Sequence, residues 1–191
     1  MEQIIIVVAV LPLISASLIQ IFAGRIGRGI ARFSVAITTL SFLLAVLLLS
    51  FSLAGHGPQT LTLGNSTAIM LFDPLSTLLA TVILGISLIV HIYSVRYMAE
   101  EDAYGQFFVL LDLMTGALLF MVIAGDLITL VIAWYLVGVL LYFLVGHDTR
   151  SQTAYRFAFW TLITYRIGDI PLIIAAALLY NAYDTWSLTT I

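Results

Sequence analysis

Six apolar runs, each long enough to cross a lipid bilayer, constrain this chain more than any other feature. They cover about residues 3–23, 33–54, 74–98, 106–124, 127–146 and 154–180. A helix needs roughly 20 mostly apolar residues to traverse about 30 Å of hydrocarbon. Between the runs lies only short polar punctuation: Gly24 to Arg32, Gly55 to Phe72, Ala99 to Gly105, Gly125-Asp126 and His147 to Thr153. Inside lipid each backbone group must find its partner within the segment, so these runs read as helices. A transmembrane β-barrel alternates every second residue, and the unbroken run Leu43 to Leu49 does not. The fold class expected is an all-α integral membrane bundle of about six transmembrane helices, in one domain spanning 1–191.

Composition agrees. Hydrophobic residues make up 62% of the chain and charged residues 9%, against about 25% charged in a soluble domain. The chain has no material for a wet surface, so the bilayer is its solvent. A formal charge of −3 argues against nucleic acid or another polyanion as partner. The absence of cysteine excludes disulfides, thiol catalysis and cysteine-ligated metal. Met1-Glu2-Gln3 carries no basic region of a cleaved signal peptide, so the first run reads as a retained helix.

The arginines set an orientation. Arg25, Arg28 and Arg32 lie in the first connection, Arg96 borders the third, and Arg150 and Arg156 flank the fifth, while the second and fourth have none. The positive-inside rule then makes the odd connections cytoplasmic and puts both termini outside a bacterial inner membrane. The second connection differs in kind. Gly55-His56-Gly57-Pro58, Gln59 to Leu63 and Gly64-Asn65-Ser66 read as turn, strand and turn, a short external hairpin. Asp73-Pro74 then reads as the cap and first residue of the third helix.

Ionisable residues within a span are costly and mark candidate function. In the sixth run, Arg166 lies about 18 Å along the axis, and Asp169, three residues on, shares its face. The two read either as a charged station beside an ion path or as a structural ion pair. Gly168 between them would admit a neighbouring helix, and Pro171 frees a carbonyl one turn earlier. Asp112 lies about 9 Å into the fourth run with no basic residue three or four positions away, so any partner comes from another helix or from water. It reads as a functional acid or as a cap at the cytoplasmic entry. His91, near the inner end of the third run, is a proton relay or a helix-to-helix hydrogen bond. Tyr135 sits at the depth of Arg166 and Asp169, where its phenol bonds one of them or simply packs with its hydroxyl satisfied. Tyr93 and Tyr97 read as interfacial aromatics. Asp126 and Asp148 read as solvated loop residues, and His56 and His147 are too scattered for a metal site. No phosphate loop, dinucleotide fingerprint or nucleophile triad is visible.

Several of these residues stand in a familiar order: His-x-Tyr-Ser-x-x-Tyr-Met (His91 to Met98), Trp-x-Leu-Val-Gly (Trp134 to Gly138) and Arg-Ile-Gly-Asp (Arg166 to Asp169), with Asp73-Pro74-Leu75-Ser76 ahead of them. The chain resembles the antiporter-like membrane subunits shared by respiratory complex I and the Mrp sodium/proton antiporters. That resemblance implies the N-terminal portion of a larger fold and carries over Arg166, Asp169 and His91 as pathway residues. Complex I relatives usually have glutamate where this chain has Tyr135, and they use lysines further along, of which this chain has none. Their carboxylate–lysine relay is therefore missing here, and Asp112 is the candidate acid to replace the glutamate, at a different depth. The lost glutamate and the wording Gly146-His147-Asp148-Thr149-Arg150, then Ala154 to Trp160, resemble most the membrane subunit of DAB-type inorganic-carbon uptake systems.

The expectation is a membrane subunit, not an enzyme, that conducts protons or sodium to energise bicarbonate or CO2 accumulation. The resemblance implies a large cytoplasmic carbonic-anhydrase-like partner that holds the zinc, with no cofactor in this chain. Two alternatives stay open: a proton-translocating complex I-like or Mrp-type subunit, and a structural N-terminal half with no ion path.

Overall fold

The structure, a computed structural model, describes residues 2–26, 29–54, 59–62, 69–101, 103–147 and 151–188. Six helices follow one another: α1 (Glu2–Ile26), α2 (Gly29–Leu53), α3 (Pro74–Tyr97), α4 (Tyr104–Val122), α5 (Leu127–Val145) and α6 (Gln152–Tyr183). By length and composition α2 to α6 can each cross a membrane, and α1 contains a shorter apolar stretch, Ile6–Phe22. The chain is an all-α integral membrane bundle. α6 has 32 residues, about 48 Å at 1.5 Å per residue, so it tilts in the bilayer or projects beyond it.

Between α2 and α3 lies the expected hairpin, β1 (Gln59–Thr62) antiparallel to β2 (Ile69–Phe72), with Leu61 opposite Met70. The second strand falls inside the stretch that polar punctuation alone assigns to the connection. The two flanking turns, Gly55 to Pro58 and Gly64 to Ser66, lie outside the described residues, as do His56, Arg28, Asp148 and Arg150. A two-stranded hairpin is marginal by itself, and here it is tied down. The Leu71 N–H donates to the Ile123 carbonyl at 2.9 Å, joining β2 to the α4–α5 connection. The chain after α6 turns back through Asp184, whose φ of 51° is in the left-handed region that aspartate tolerates better than most residues. Leu127 and Leu188 N–H groups then donate to the carbonyls of Trp186 and Gly125, each at 2.9 Å. Backbone groups of this connection are thus paired by neighbouring chain, as burial demands.

This cover changes the reading of Asp126. Only 2% exposed, it is a buried cap and not a solvated loop residue. Its carboxylate accepts the Thr129 N–H at 2.7 Å and the Thr129 hydroxyl at 2.8 Å at the start of α5. Asp73 caps α3 as expected, accepting the Ser76 N–H at 2.7 Å with Pro74 in the first turn.

α4 is the centre of the bundle, in contact with α1, α2, α3 and α5. Along it, Phe108 and Val109 pack with Ala16, Ile19 and Ile30 toward the end bearing Arg32 and Arg96. Leu119 and Ile123 pack with Val8, Leu48, Leu84 and Phe72 toward the hairpin. Between these two apolar clusters lies a polar layer. Gly116 lets α1 approach there: a Cβ at this position would overlap the Leu13 side chain. α6 is peripheral and packs on α5, with Ala158, Asp169 and Ala176 its buried residues. Gly168 is not a point of close approach among the described residues. It lies on the exposed side of α6, and a Cβ there would meet nothing within 4 Å.

Replacing Gly116 with alanine should push α1 away and cost about 1–3 kcal/mol, the range for overpacked cores. In that background Leu13→Ala should restore part of the loss in thermal unfolding of the purified protein. Strictly additive losses would show that the two positions do not meet.

Candidate functional site: two polar stations in the bundle

The polar layer is built around Asp112, which has 0% exposure. Four helices supply the cluster. From α1, the Ser15 hydroxyl donates to Oδ2 at 2.7 Å. From α2, the Ser34 hydroxyl lies 3.0 Å from each carboxylate oxygen, one hydrogen shared between them. From α3, His91 Nε2 lies 3.0 Å from Oδ1, its ring also fully buried. On the other side of that ring, Nδ1 lies 2.7 Å from the Ser87 carbonyl and 3.2 Å from the Ser87 hydroxyl. The Ser87 hydroxyl contacts Thr115 Oγ1 of α4 at 2.6 Å, and Thr115 donates to the Leu111 carbonyl at 2.9 Å. Phe108 packs beneath the imidazole, ring centroids 6.1 Å apart. A carboxylate held by two hydroxyl donors and facing an imidazole is the arrangement that lets a charge survive out of water. The Thr38 hydroxyl, one turn beyond Ser34 on α2, is buried and has no hydrogen-bond partner among the described residues.

The second station joins α5 and α6. Arg166 Nη1 lies 3.1 Å from Asp169 Oδ2, a distance at which the charges attract although the angle is not that of a hydrogen bond. The other oxygen, Oδ1, accepts the Trp134 Nε1–H at 2.9 Å. Arg166 Nη2 donates to the Tyr135 carbonyl at 3.3 Å, and the guanidinium carbon sits 3.7 Å above the Tyr135 ring, a cation–π contact. Gly138, one turn on along α5, makes room for this guanidinium: a Cβ there would fall 2.6 Å from Nη2.

The structure therefore sorts the residues named from sequence into two groups. Asp112 and His91 meet each other and nothing of the second group; Arg166, Asp169 and Tyr135 meet one another. Asp112 is no cap: α4 begins at Tyr104, which puts the acid about 12 Å inside the helix. Tyr135 meets the second station through its carbonyl and ring face, so the expected phenol hydrogen bond is replaced. Ser15, Ser34, Ser87, Thr115 and Trp134 were not signalled as site residues. For Trp134 the signal was available, since an indole N–H inside a span needs an acceptor; isolated serines in apolar helices carry none. His147 lies apart at the end of α5, its Nδ1 against the Leu144 carbonyl at 3.0 Å. Among the described residues no three His, Asp or Glu side chains gather as a metal site would require.

The geometry defines an integral membrane bundle that holds an Arg–Asp pair and a fully buried His–Asp pair among its helices. The family comparisons make it specific. Residues 62–108 match the model of the N-terminus of chain 5 of NADH-ubiquinone oxidoreductase (complex I), and residues 124–191 that of the NADH:quinone oxidoreductase/Mrp antiporter transmembrane region. The chain belongs to this antiporter-like membrane-subunit family. It is 49% identical, over 96% of its length, to a probable inorganic carbon transporter subunit DabB1 of Halothiobacillus neapolitanus, and covers 33% of that relative. It is 34% identical to NADH-quinone oxidoreductase subunit L of Mycobacterium tuberculosis over 60% of this chain and 18% of that one. The fold recurs in an archaeal membrane-bound sulfane sulfur reductase, with a TM-score of 0.86 at 20% identity over 97% of this chain and 38% of that one. It recurs in an Mrp complex from Dietzia, with a TM-score of 0.79 at 22% identity over 97% of this chain and 20% of that one. The chain thus spans about a third of the DabB1 relative. His91 falls inside the first matched stretch, Tyr135, Arg166 and Asp169 inside the second, and Asp112 between them.

Removing one member of the buried pair should cost more than removing both. His91→Ala leaves the Asp112 charge uncompensated and is expected to lower stability by about 3–5 kcal/mol. The double change His91→Met with Asp112→Leu should recover most of that loss in thermal unfolding of the purified protein. Equal losses in the single and double variants would mean that the pair carries no buried charge.

Proposed function

We propose that this chain is an ion-conducting or coupling subunit whose proton or sodium flux energises inorganic-carbon accumulation. The observation that carries the ion-handling part is Asp112, a carboxylate with 0% exposure inside a membrane bundle, faced by His91. Burying such groups is expensive, and an apolar pair would often be at least as stable, so a use for the charge is the economical account. The inorganic-carbon part rests on the likeness to the DabB1 relative. In this reading Arg166 and Asp169 form a central charged station, seated on Tyr135 and Trp134, while Asp112 and His91 serve the cytoplasmic side. The chain carries no catalysis of its own. The hydration chemistry and its zinc belong to a large carbonic-anhydrase-like partner on the cytoplasmic face.

The proposed topology has both termini outside a bacterial inner membrane. Exposed Arg32, Arg96 and Arg156 gather at one end of the bundle, at the start of α2, the end of α3 and the start of α6, and the hairpin lies at the other. Such a distribution is what the positive-inside rule expects of a cytoplasmic face.

Inorganic-carbon uptake by cells carrying Asp169→Asn tests this reading. Uptake should be lost while expression and assembly stay normal, because the amide keeps the shape and an acceptor for Trp134 but drops the charge facing Arg166. Unchanged uptake would remove Asp169 from coupling. Lost assembly with normal turnover of the remaining complex would favour a structural half instead.

A further inference from the structure

The hydrogen-bond chain around His91 fixes more than the contacts. A threonine hydroxyl has one hydrogen, and that of Thr115 goes to the Leu111 carbonyl at 2.9 Å. In the 2.6 Å contact between Ser87 and Thr115 either hydroxyl can donate, and the Thr115 bond to Leu111 selects Ser87. Its hydrogen spent, the Ser87 hydroxyl can only accept from His91 Nδ1, as can the Ser87 carbonyl at 2.7 Å. Nδ1 therefore bears a hydrogen. The opposite tautomer would set the bare nitrogen against a carbonyl oxygen at that distance.

With Nδ1–H fixed, the 3.0 Å gap between Nε2 and Asp112 Oδ1 is the variable part of the cluster. With no proton in it, two lone pairs face each other. With one, the gap holds either an imidazolium donating to a carboxylate or a carboxylic acid donating to a neutral imidazole. Neither form requires another group to move. The remaining faces of Asp112 are closed by hydrogens from Ser15 and Ser34. A sodium ion needs several oxygen lone pairs turned toward it, whereas Ser15 and Ser34 present hydrogens to this carboxylate and His91 presents a nitrogen.

Among the described residues, the surrounding elements add no competing charge. The ionisable residues of α1 are Glu2 and Arg25, at its two ends. On α2, Arg32 is exposed, and on α3 Arg96, Tyr93 and Tyr97 are exposed. On α4, Tyr104 directs its hydroxyl to the Val95 carbonyl at 3.4 Å and its ring to Phe108. His147, after α5, packs on Phe107.

We infer that the four-helix cluster is a site for a single proton and not for sodium, the proton shared between His91 Nε2 and Asp112 Oδ1 while Nδ1 stays protonated. This names the ion met by the inner station and rests on the ion-handling reading for its use in transport. Loading takes the pair from net −1 to net neutral; unloading reverses it, with no other bond broken.

Magic-angle-spinning NMR of the whole protein, extracted with its partners into lipid and labelled with 15N-histidine and 13C-aspartate, tests this. His91 is recognised by its through-space coupling to an aspartate carboxyl carbon, so no variant is needed. Its Nδ1 should be protonated at every pH at which the complex stays intact. Nε2 and the Asp112 carboxyl carbon should change together in one step as pH rises, and at fixed pH the spectrum should be the same in sodium and potassium buffers. A bare Nδ1, the lack of any such coupling, or a sodium-dependent change would overturn the assignment. Unchanged uptake in Asp169→Asn cells beside the expected spectra would instead remove Asp169 from coupling and leave the proton site standing.

Discussion

A carboxylate with no access to water has to be satisfied by the helices around it, and that requirement governs how this bundle is assembled. Asp112 draws on Ser15, Ser34 and His91, one from each of three neighbours, so α1, α2 and α3 must present a particular face to α4 at a particular height. Leucine packing alone would be indifferent to such rotations, because lipid tails are as apolar as the side chains they would replace. The apolar clusters above and below supply close packing; the polar layer supplies register. Gly116, one turn from Asp112, removes the steric obstacle that would hold Ser15 away. A buried charge is weak evidence for stability, but here it is strong evidence for a defined arrangement.

The second station follows a different logic. Arg166 and Asp169 sit three residues apart on one helix, so no neighbouring helix is needed to bring them together. What α5 adds is a seat: the Tyr135 ring face and carbonyl, the space at Gly138 and the Trp134 indole. Arg166 Nε and Nη1 have no hydrogen-bond partner among the described residues, and neither has Asp169 Oδ2. The inner cluster is complete within four helices, while the outer pair keeps unused hydrogen-bonding capacity. That incompleteness lets the outer pair take a further hydrogen-bond partner at the least cost.

How much of this was legible in the sequence depended on whether a feature is local. Helix number and extent were readable because hydrocarbon thickness imposes a length, and the Asp73 cap because its acceptor lies three residues away. The Arg166–Asp169 contact was readable for the same reason. The partnership of Asp112 with His91 was not, since it depends on how α3 and α4 rotate against each other, which no spacing encodes. Gly168 went the other way: its position beside a buried Asp169 suggested contact, but one residue is 100° of rotation, and that turn carries it to the exposed side. Asp126 looked like a loop residue until β2 and the segment after α6 closed over it, an effect of chain brought together from 55 residues before and 60 after.

The relation between the two stations follows from what lies between them. Leu110 and Ala117 of α4 pack on Leu140 of α5, with Met114 and Val137 beside them, an apolar layer between the Asp112 cluster and the Arg166 pair. No hydrogen-bonded chain links the stations among the described residues, so a proton cannot step from one to the other along these side chains. A field can still cross. Charge interactions fall off only as the inverse of distance and are not stopped by apolar side chains. Arg166 and Asp169 nearly cancel at a distance while both are ionised, and their influence on the inner site grows when one is neutralised or drawn aside by another partner. The architecture thus suits coupling by electrostatics through a dry layer, with the sealed pair sensing charge and the open pair changing it.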